Sequence, residues 1–93
     1  MEKKFILTDK FIKLASGKKL FQIKCVKSFK YAKEGDLGGY VEKESNLSHE
    51  GDAWVYGYAQ VYEDAQVYED AQVYGAAQVY GDARIYGSAK VHG

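Results

Sequence analysis

Gly51-Asp52-Ala53-Trp54-Val55-Tyr56, Gly57-Tyr58-Ala59-Gln60-Val61-Tyr62, Glu63-Asp64-Ala65-Gln66-Val67-Tyr68: one six-residue phrase, which runs on through four more copies to the closing Gly93. A fixed period this short marks a solenoid, because each copy can bury its apolar residue only against its neighbours. The aliphatic position is strict: Val55, Val61, Val67, Val73, Val79, Ile85, Val91. Alternation puts x-Val-Tyr on a short strand, with Val directed inward and both neighbours outward. The Gly/Glu-Asp pair that follows is turn chemistry, and the Ala in every copy suits an inward corner where a larger side chain would collide.

Working back from Gly51, Tyr40-Val41 and Leu47 read as two degenerate opening copies. Leu47 lies eight residues before Val55 instead of six, so two additional residues around Ser48-His49-Glu50 must bulge at a corner. Before them, Glu34-Gly35-Asp36-Leu37-Gly38-Gly39 is a glycine-rich joint, whose glycines permit the positive φ of a sharp redirection. It lacks the spacing of a phosphate-binding loop. The runs Lys3 to Thr8, Lys10 to Leu14 and Leu20 to Phe29 alternate as strands of a small antiparallel sheet, with Ser16-Gly17-Lys18-Lys19 as a turn. The expected organisation is a basic β module over residues 1–38 and a repeat unit over 39–93, together one all-β body.

The net charge of zero hides a split. Residues 1–38 carry ten lysines against four acids, about +6, and residues 39–93 carry three bases against nine acids, about −6. Such asymmetry suits an acidic or nucleic-acid partner for the first half, or an acidic surface that mimics one in the second. Lysines interleaved with aromatics, as in Lys10-Phe11-Ile12-Lys13, could touch nucleic acid, but those aromatics are expected to alternate into the sheet core. A protein partner is therefore the preferred expectation. Cys25 is single, which leaves no internal disulfide and no cysteine metal cluster. No stretch has the length of a signal h-region or a membrane span, and the reading is cytoplasmic, with no membrane partner.

The Val/Ile–Ala pattern resembles the hexapeptide repeat of left-handed parallel β-helices, from Val55/Ala59 through Ile85/Ala89. The resemblance implies three hexads per triangular turn, about three turns, and stacking of residues eighteen apart. It also implies outer ladders: Tyr56, Tyr74 and His92 beside Trp54, Gln72 and Lys90; Tyr62 and Tyr80 beside Gln60 and Gln78; Tyr68 and Tyr86 beside Gln66 and Arg84. Asp52 would stand over Asp70 and Asp64 over Asp82 at the corners. The Tyr after each Val departs from the family pattern, as do Glu63 and Glu69 in places otherwise glycine, where they could strain the corners.

The resemblance brings an enzymatic alternative, a minimal acyltransferase working as a trimer on an acyl-CoA. Its members employ a catalytic His and an excursion loop, whereas here His49 and His92 are the only histidines and no such loop is present. The segments Gly35-Asp36-Leu37-Gly38-Gly39-Tyr40-Val41-Glu42, Asn46-Leu47-Ser48 and Gly51-Asp52-Ala53-Trp54-Val55-Tyr56-Gly57 further resemble small phage and prophage hexapeptide-repeat proteins with an N-terminal β cap. That resemblance implies a phage-encoded inhibitor of a host defence or regulatory complex, and the two isolated histidines without an excursion loop lead to the expectation of no catalysis, no metal and no cofactor. Binding is expected through two sets of residues: the Tyr walls with Trp54, and the acidic corners Asp52, Asp64, Asp70, Asp82, Glu63 and Glu69. Homodimerisation is expected at the C-terminal end, through Val91 and His92, with an end-to-end assembly unit as a third reading.

Overall fold

The computed structural model describes residues 3–93; Met1 and Glu2, which belong to the expected 1–38 unit, lie outside the described residues. The chain is mostly strand and turn, with one short 3-10 turn over Glu44–Asn46. No helix among the described residues is long and apolar enough to cross a membrane.

The N-terminal part contributes β1 (Phe5–Lys13), β2 (Lys19–Cys25) and β3 (Leu37–Val41), paired antiparallel in that order. The first two expected runs are thus a single strand. Its register against β2 slips between Leu7 and Phe11, so Thr8-Asp9-Lys10 forms an irregularity where a break was expected. The third run ends at Cys25, well before Phe29.

The hexads supply β4 (Trp54–Val55), β5 (Gln60–Val61), β6 (Gln66–Val67), β7 (Gln72–Tyr74), β8 (Gln78–Val79), β9 (Arg84–Ile85) and β10 (Lys90–His92). They pair in parallel at an offset of eighteen residues: Gln60 with Gln78, Gln66 with Arg84, and Trp54 with Gln72 with Lys90. Three walls result, ordered β1-β2-β3-β5-β8, β4-β7-β10 and β6-β9. In the opening turn the offset is twenty: Tyr40 lies against Gln60 and Leu47 bridges to Val67. The two additional residues therefore sit between Ser48, which still donates at that offset, and Asp52, which donates to Glu69.

The interior is a column of Val55, Val61, Val67 and Val73, all fully buried, cornered by Ala53, Ala59, Ala65 and Ala71. Each aliphatic side chain so buried contributes roughly 1.5–3 kcal/mol. The column loosens upward, since Ile85 and Val91 are only half-buried and Ala89 is exposed. At the other end Phe5, Ile23, Cys25, Ala32 and Trp54 belong to the same core, so the antiparallel strands and the coil share one interior. The boundary at residue 38 falls inside β3.

The glycine joint works differently from the expectation. Only Gly35 has a positive φ, +96°. Gly38 and Gly39 are buried and are required for close approach. A Cβ on Gly38 would lie 2.7 Å from the Val55 carbonyl oxygen, and one on Gly39 would lie 2.7 Å from the Ala59 carbonyl oxygen.

A second device was not read from the sequence. Asn46 is fully buried beneath the first turn, and its carboxamide makes four bonds. The Oδ1 accepts from the amides of Glu42 and Lys43 at 3.1 and 2.9 Å, while Nδ2 donates to the carbonyls of Glu63 and Ala65 at 3.2 and 2.8 Å. It fastens the 3-10 turn to the rung above.

Two substitutions test this account. Gly39→Ala should cost several times more stability in urea unfolding than Gly57→Ala, which meets open space and pays only the backbone strain of φ +53°, about 1 kcal/mol. Asn46→Ala should lower unfolding free energy by about 2–4 kcal/mol, since it orphans buried backbone groups on both rungs.

Candidate functional site

The eighteen-residue offset sets tyrosine over tyrosine on each outer wall. Tyr62 and Tyr80 stack with centroids 5.3 Å apart and planes 13° apart. Tyr68 and Tyr86 do the same at 5.4 Å and 14°. On the remaining wall Tyr74 stacks on His92 at 5.3 Å, and Tyr56 meets Tyr74 edge-on at 6.3 Å. Tyr56 Oη also donates to Gln72 Oε1 at 3.3 Å. Partial burial, then the neighbouring Tyr80 and Glu63, push the Tyr62 phenol up; burial and then Tyr31 do so for Tyr56.

The rings nearer the first turn are half-buried, whereas Tyr80 and Tyr86 at the upper end are 54% and 56% exposed. Each is supported from below by the ring on which it stacks. Tyr58, 79% exposed, belongs to no ladder and was missed; the available signal was its place in the hexad, where most copies have Asp, Ser or Ala.

Trp54 must be removed from the binding walls. It pairs with Gln72 in the expected register but is only 2% exposed, because Phe5 and Phe29 pack edge-on against its indole at 6.5 and 5.3 Å. The hexad pattern directs it outward, and the N-terminal strand and the loop after β2 then cover it. It is a core residue.

The acidic corners divide. Glu63 and Glu69 hold φ of +58° and +59° where other copies use glycine, so the strain is real. Their carboxylates offset part of it by reaching up one turn. Glu63 Oε1 accepts from the Gly81 amide at 2.9 Å, and Glu69 Oε1 from the Gly87 amide at 3.2 Å. Glu42 does the same from below, accepting from the Glu63 amide at 2.7 Å. These glutamates staple turns together.

Asp64 pairs with Lys43 at 3.1 Å, and Asp52 is half-buried near Lys4. Asp70 and Asp82 are exposed, with no side-chain hydrogen bond among the described residues. Charge available to a partner is therefore concentrated on these two, together with Glu50.

His49 serves as a clasp between the bulge and the first strand. The Lys4 amide donates to Nδ1 at 3.0 Å, which places the ring proton on Nε2, directed at Glu44 Oε1 2.9 Å away. The Phe5 ring stacks on the imidazole at 4.3 Å. The hydrogen bond from His49, then that from Lys3, hold Glu44 below the usual carboxylate range. With both nitrogens committed to the fold, His49 has none left to move a proton for a substrate. Among the described residues no three His, Cys, Asp or Glu side chains converge as metal ligands.

Lys4 is the other buried polar residue of this end, and sequence reading overlooked it. Its ammonium donates to the carbonyls of Ala53 and Gly51 at 2.6 and 3.3 Å and lies 4.6 Å from the Phe29 ring centroid. Burial outweighs the nearby Asp52 and pulls its pKa from 10.5 down to about 8.

Among known proteins, the model of the YdcK β-solenoid repeat matches residues 77–93, the last turn of the coil. The chain is a β-solenoid repeat protein. No curated protein matches it. The matched segment carries Tyr80, Tyr86 and the half-buried Ile85 and Val91, so it includes the two most exposed rings of the tyrosine ladders.

Two outcomes are expected of this solenoid. Because the folded Lys4 value lies below the unfolded one, the unfolded chain holds the proton more tightly from about pH 8 to about 10.5, and stability rises with pH across that window. Lys4→Met should lose that rise, about 2 kcal/mol between about pH 7 and 9.5 in urea unfolding; parallel slopes in parent and variant would contradict it. At Glu63, Gly should be nearly neutral because it removes strain along with the staple, whereas Ala, keeping the strain, should cost about 1–2 kcal/mol by the same measurement.

Proposed function

We propose that this solenoid is a non-enzymatic binding module: a left-handed parallel β-helix of about three triangular turns, closed at its first turn by an antiparallel β cap, that recognises another protein through its tyrosine walls. The Val/Ile–Ala hexad and the eighteen-residue stacking support the helix geometry. One observation carries the function: Tyr80 and Tyr86 stand more than half exposed on a rigid parallel scaffold, each already held by the ring beneath. A side chain so fixed loses little entropy when a partner covers it, and tyrosine brings a large amphipathic contact area.

The charge of about −6 over residues 39–93, with Asp70 and Asp82 open, favours a partner with a basic face. A groove that holds nucleic acid is such a face. In this reading the solenoid occupies it and inhibits a host defence or regulatory complex, as the resemblance to phage proteins implies.

Self-association at the upper end belongs to the same reading. Amides of Gln60, Tyr62, Gln66, Tyr68 and Gln72 donate to carbonyls one turn up. Their equivalents on Gln78, Tyr80, Arg84, Tyr86 and Lys90 have no acceptor among the described residues, beside half-buried Ile85 and Val91. A second copy meeting this edge would satisfy those amides and cover the apolar ends.

Capture from a host lysate followed by mass spectrometry identifies the partner. Tyr62→Ser/Tyr80→Ser or Tyr68→Ser/Tyr86→Ser should then weaken its binding at least tenfold by calorimetry, with an unchanged β-type far-UV spectrum. Unaltered affinity in both pairs refutes the tyrosine walls as the contact. Val91→Asp should shift sedimentation toward the single chain; a parent mass kept by this variant excludes the upper edge.

A further inference from the structure

Two further surfaces, the second bordering the Tyr68–Tyr86 ladder, have complementary chemistry. The first is the distal half of the β1–β2 hairpin. Phe11 pairs with Phe21 and Lys13 with Lys19 in alternate positions, either side of Ile12 with Leu20, which puts two rings and two ammonium groups on one face. The rings lie 5.8 Å apart, and Lys19 Nζ is 4.9 Å from the Phe11 centroid. Neither ring packs against the core, and Phe11 is 45% exposed. The expectation that the lysine-flanked aromatics alternate into the core is overturned at Phe11, whereas Phe29 and Tyr31 do pack against the core. Lys10, Lys13 and Lys19 make no ion pair among the described residues.

The second surface is a groove on the wall of β6, beside the bulge that follows Leu47. Two adjoining hollows of about 370 and 280 Å³ share Ser48 and Tyr68. Tyr68 supplies the apolar side chain of the lining, Leu47 and Val67 being buried in the coil behind it; Glu50 and Glu69 line the outer hollow, and no lysine or arginine lines either.

We propose that the occupant of this groove is a second copy of the chain, whose Phe11/Lys13/Lys19/Phe21 face docks there head to tail. The argument is charge complementarity within one sequence: about +6 over residues 1–38 and −6 over 39–93, with zero net charge to keep copies apart. Opposed patches of this size steer encounter, and the aromatic pair against the half-buried Tyr68 ring provides contact that excludes water. Because hairpin and groove are different surfaces, the junction is heterologous, and copies add in line or close into a ring. The proposal is independent of the end-to-end edge and shares only Tyr68 with the tyrosine walls.

Sedimentation in a Val91→Asp background, where the edge no longer contributes, tests it. The weight-average mass should exceed the 10.4 kDa of one chain at low salt and fall to it as salt rises from about 50 to about 500 mM. Phe11→Ser/Lys19→Glu and Glu50→Lys/Gln66→Lys, each with a parental far-UV spectrum, should each sediment as single chains. Mixed in equal amounts they should form a one-to-one pair, since each keeps the half of the junction that the other lacks. A single-chain mass at low salt, assembly insensitive to salt, or a mixture that stays monomeric overturns the proposal. So does a hairpin variant that keeps its assembly but loses binding to labelled oligo(dT), which would assign that face to nucleic acid.

Discussion

Rung-to-rung backbone pairing, at a constant offset of eighteen residues from Trp54 on, is the constraint on which the rest depends. The Gln60 amide reaches the Ala77 carbonyl, Gln66 reaches Ala83 and Gln72 reaches Ala89, all at 2.9–3.0 Å. Because the offset is a multiple of two and of six, whatever faces inward on one turn faces inward on the next, and equivalent positions of the hexad superpose. The valine column, the alanine corners and the tyrosine ladders all follow from it. No strand longer than three residues is needed in the coil, since each is held by its neighbours above and below.

A coil built this way has a vulnerable lower end, and the chain spends a third of its length there. The antiparallel strands continue one wall beyond the first turn, and Phe5, Phe29 and Trp54 close the interior. Polar residues complete the closure with almost no loose bonds. Asn46 binds both adjoining rungs, Lys4 satisfies two carbonyls of the bulge region, and His49 ties the bulge to the first strand and to Glu44. Buried polar groups of this kind are tolerable only when fully partnered. The upper end has no comparable arrangement among the described residues, and burial declines steadily toward it.

Surface chemistry then follows from what the fold consumes. Trp54, Glu63, Glu69 and Asp64 look available in one dimension and are engaged in three, by ring packing, amide staples and an ion pair. Tyr80, Tyr86, Asp70, Asp82 and the lysines of the hairpin remain. An acidic, aromatic coil thus carries a basic, aromatic appendage, and its histidines stack on rings: His49 under Phe5 and His92 on Tyr74.

By itself the sequence determined the solenoid, the inward Val and Ala columns, the outward tyrosines and the two-residue bulge before Asp52, because a period of six over seven copies leaves one consistent alternation. It suggested an N-terminal cap but could not reveal which side chains that cap covers. Trp54 obeys the outward pattern and is buried all the same, since its cover comes from Phe5 and Phe29, far away in the chain. Gly38 and Gly39 read as hinge residues and prove to be contact residues, because the obstacle to a side chain is backbone at Val55 and Ala59. The roles of Asn46, Lys4 and His49, and the exposure of Phe11, were likewise decided by tertiary structure. Periodicity constrains residues that share a repeat, whereas these residues meet groups outside any repeat, and only the folded chain brings such groups together.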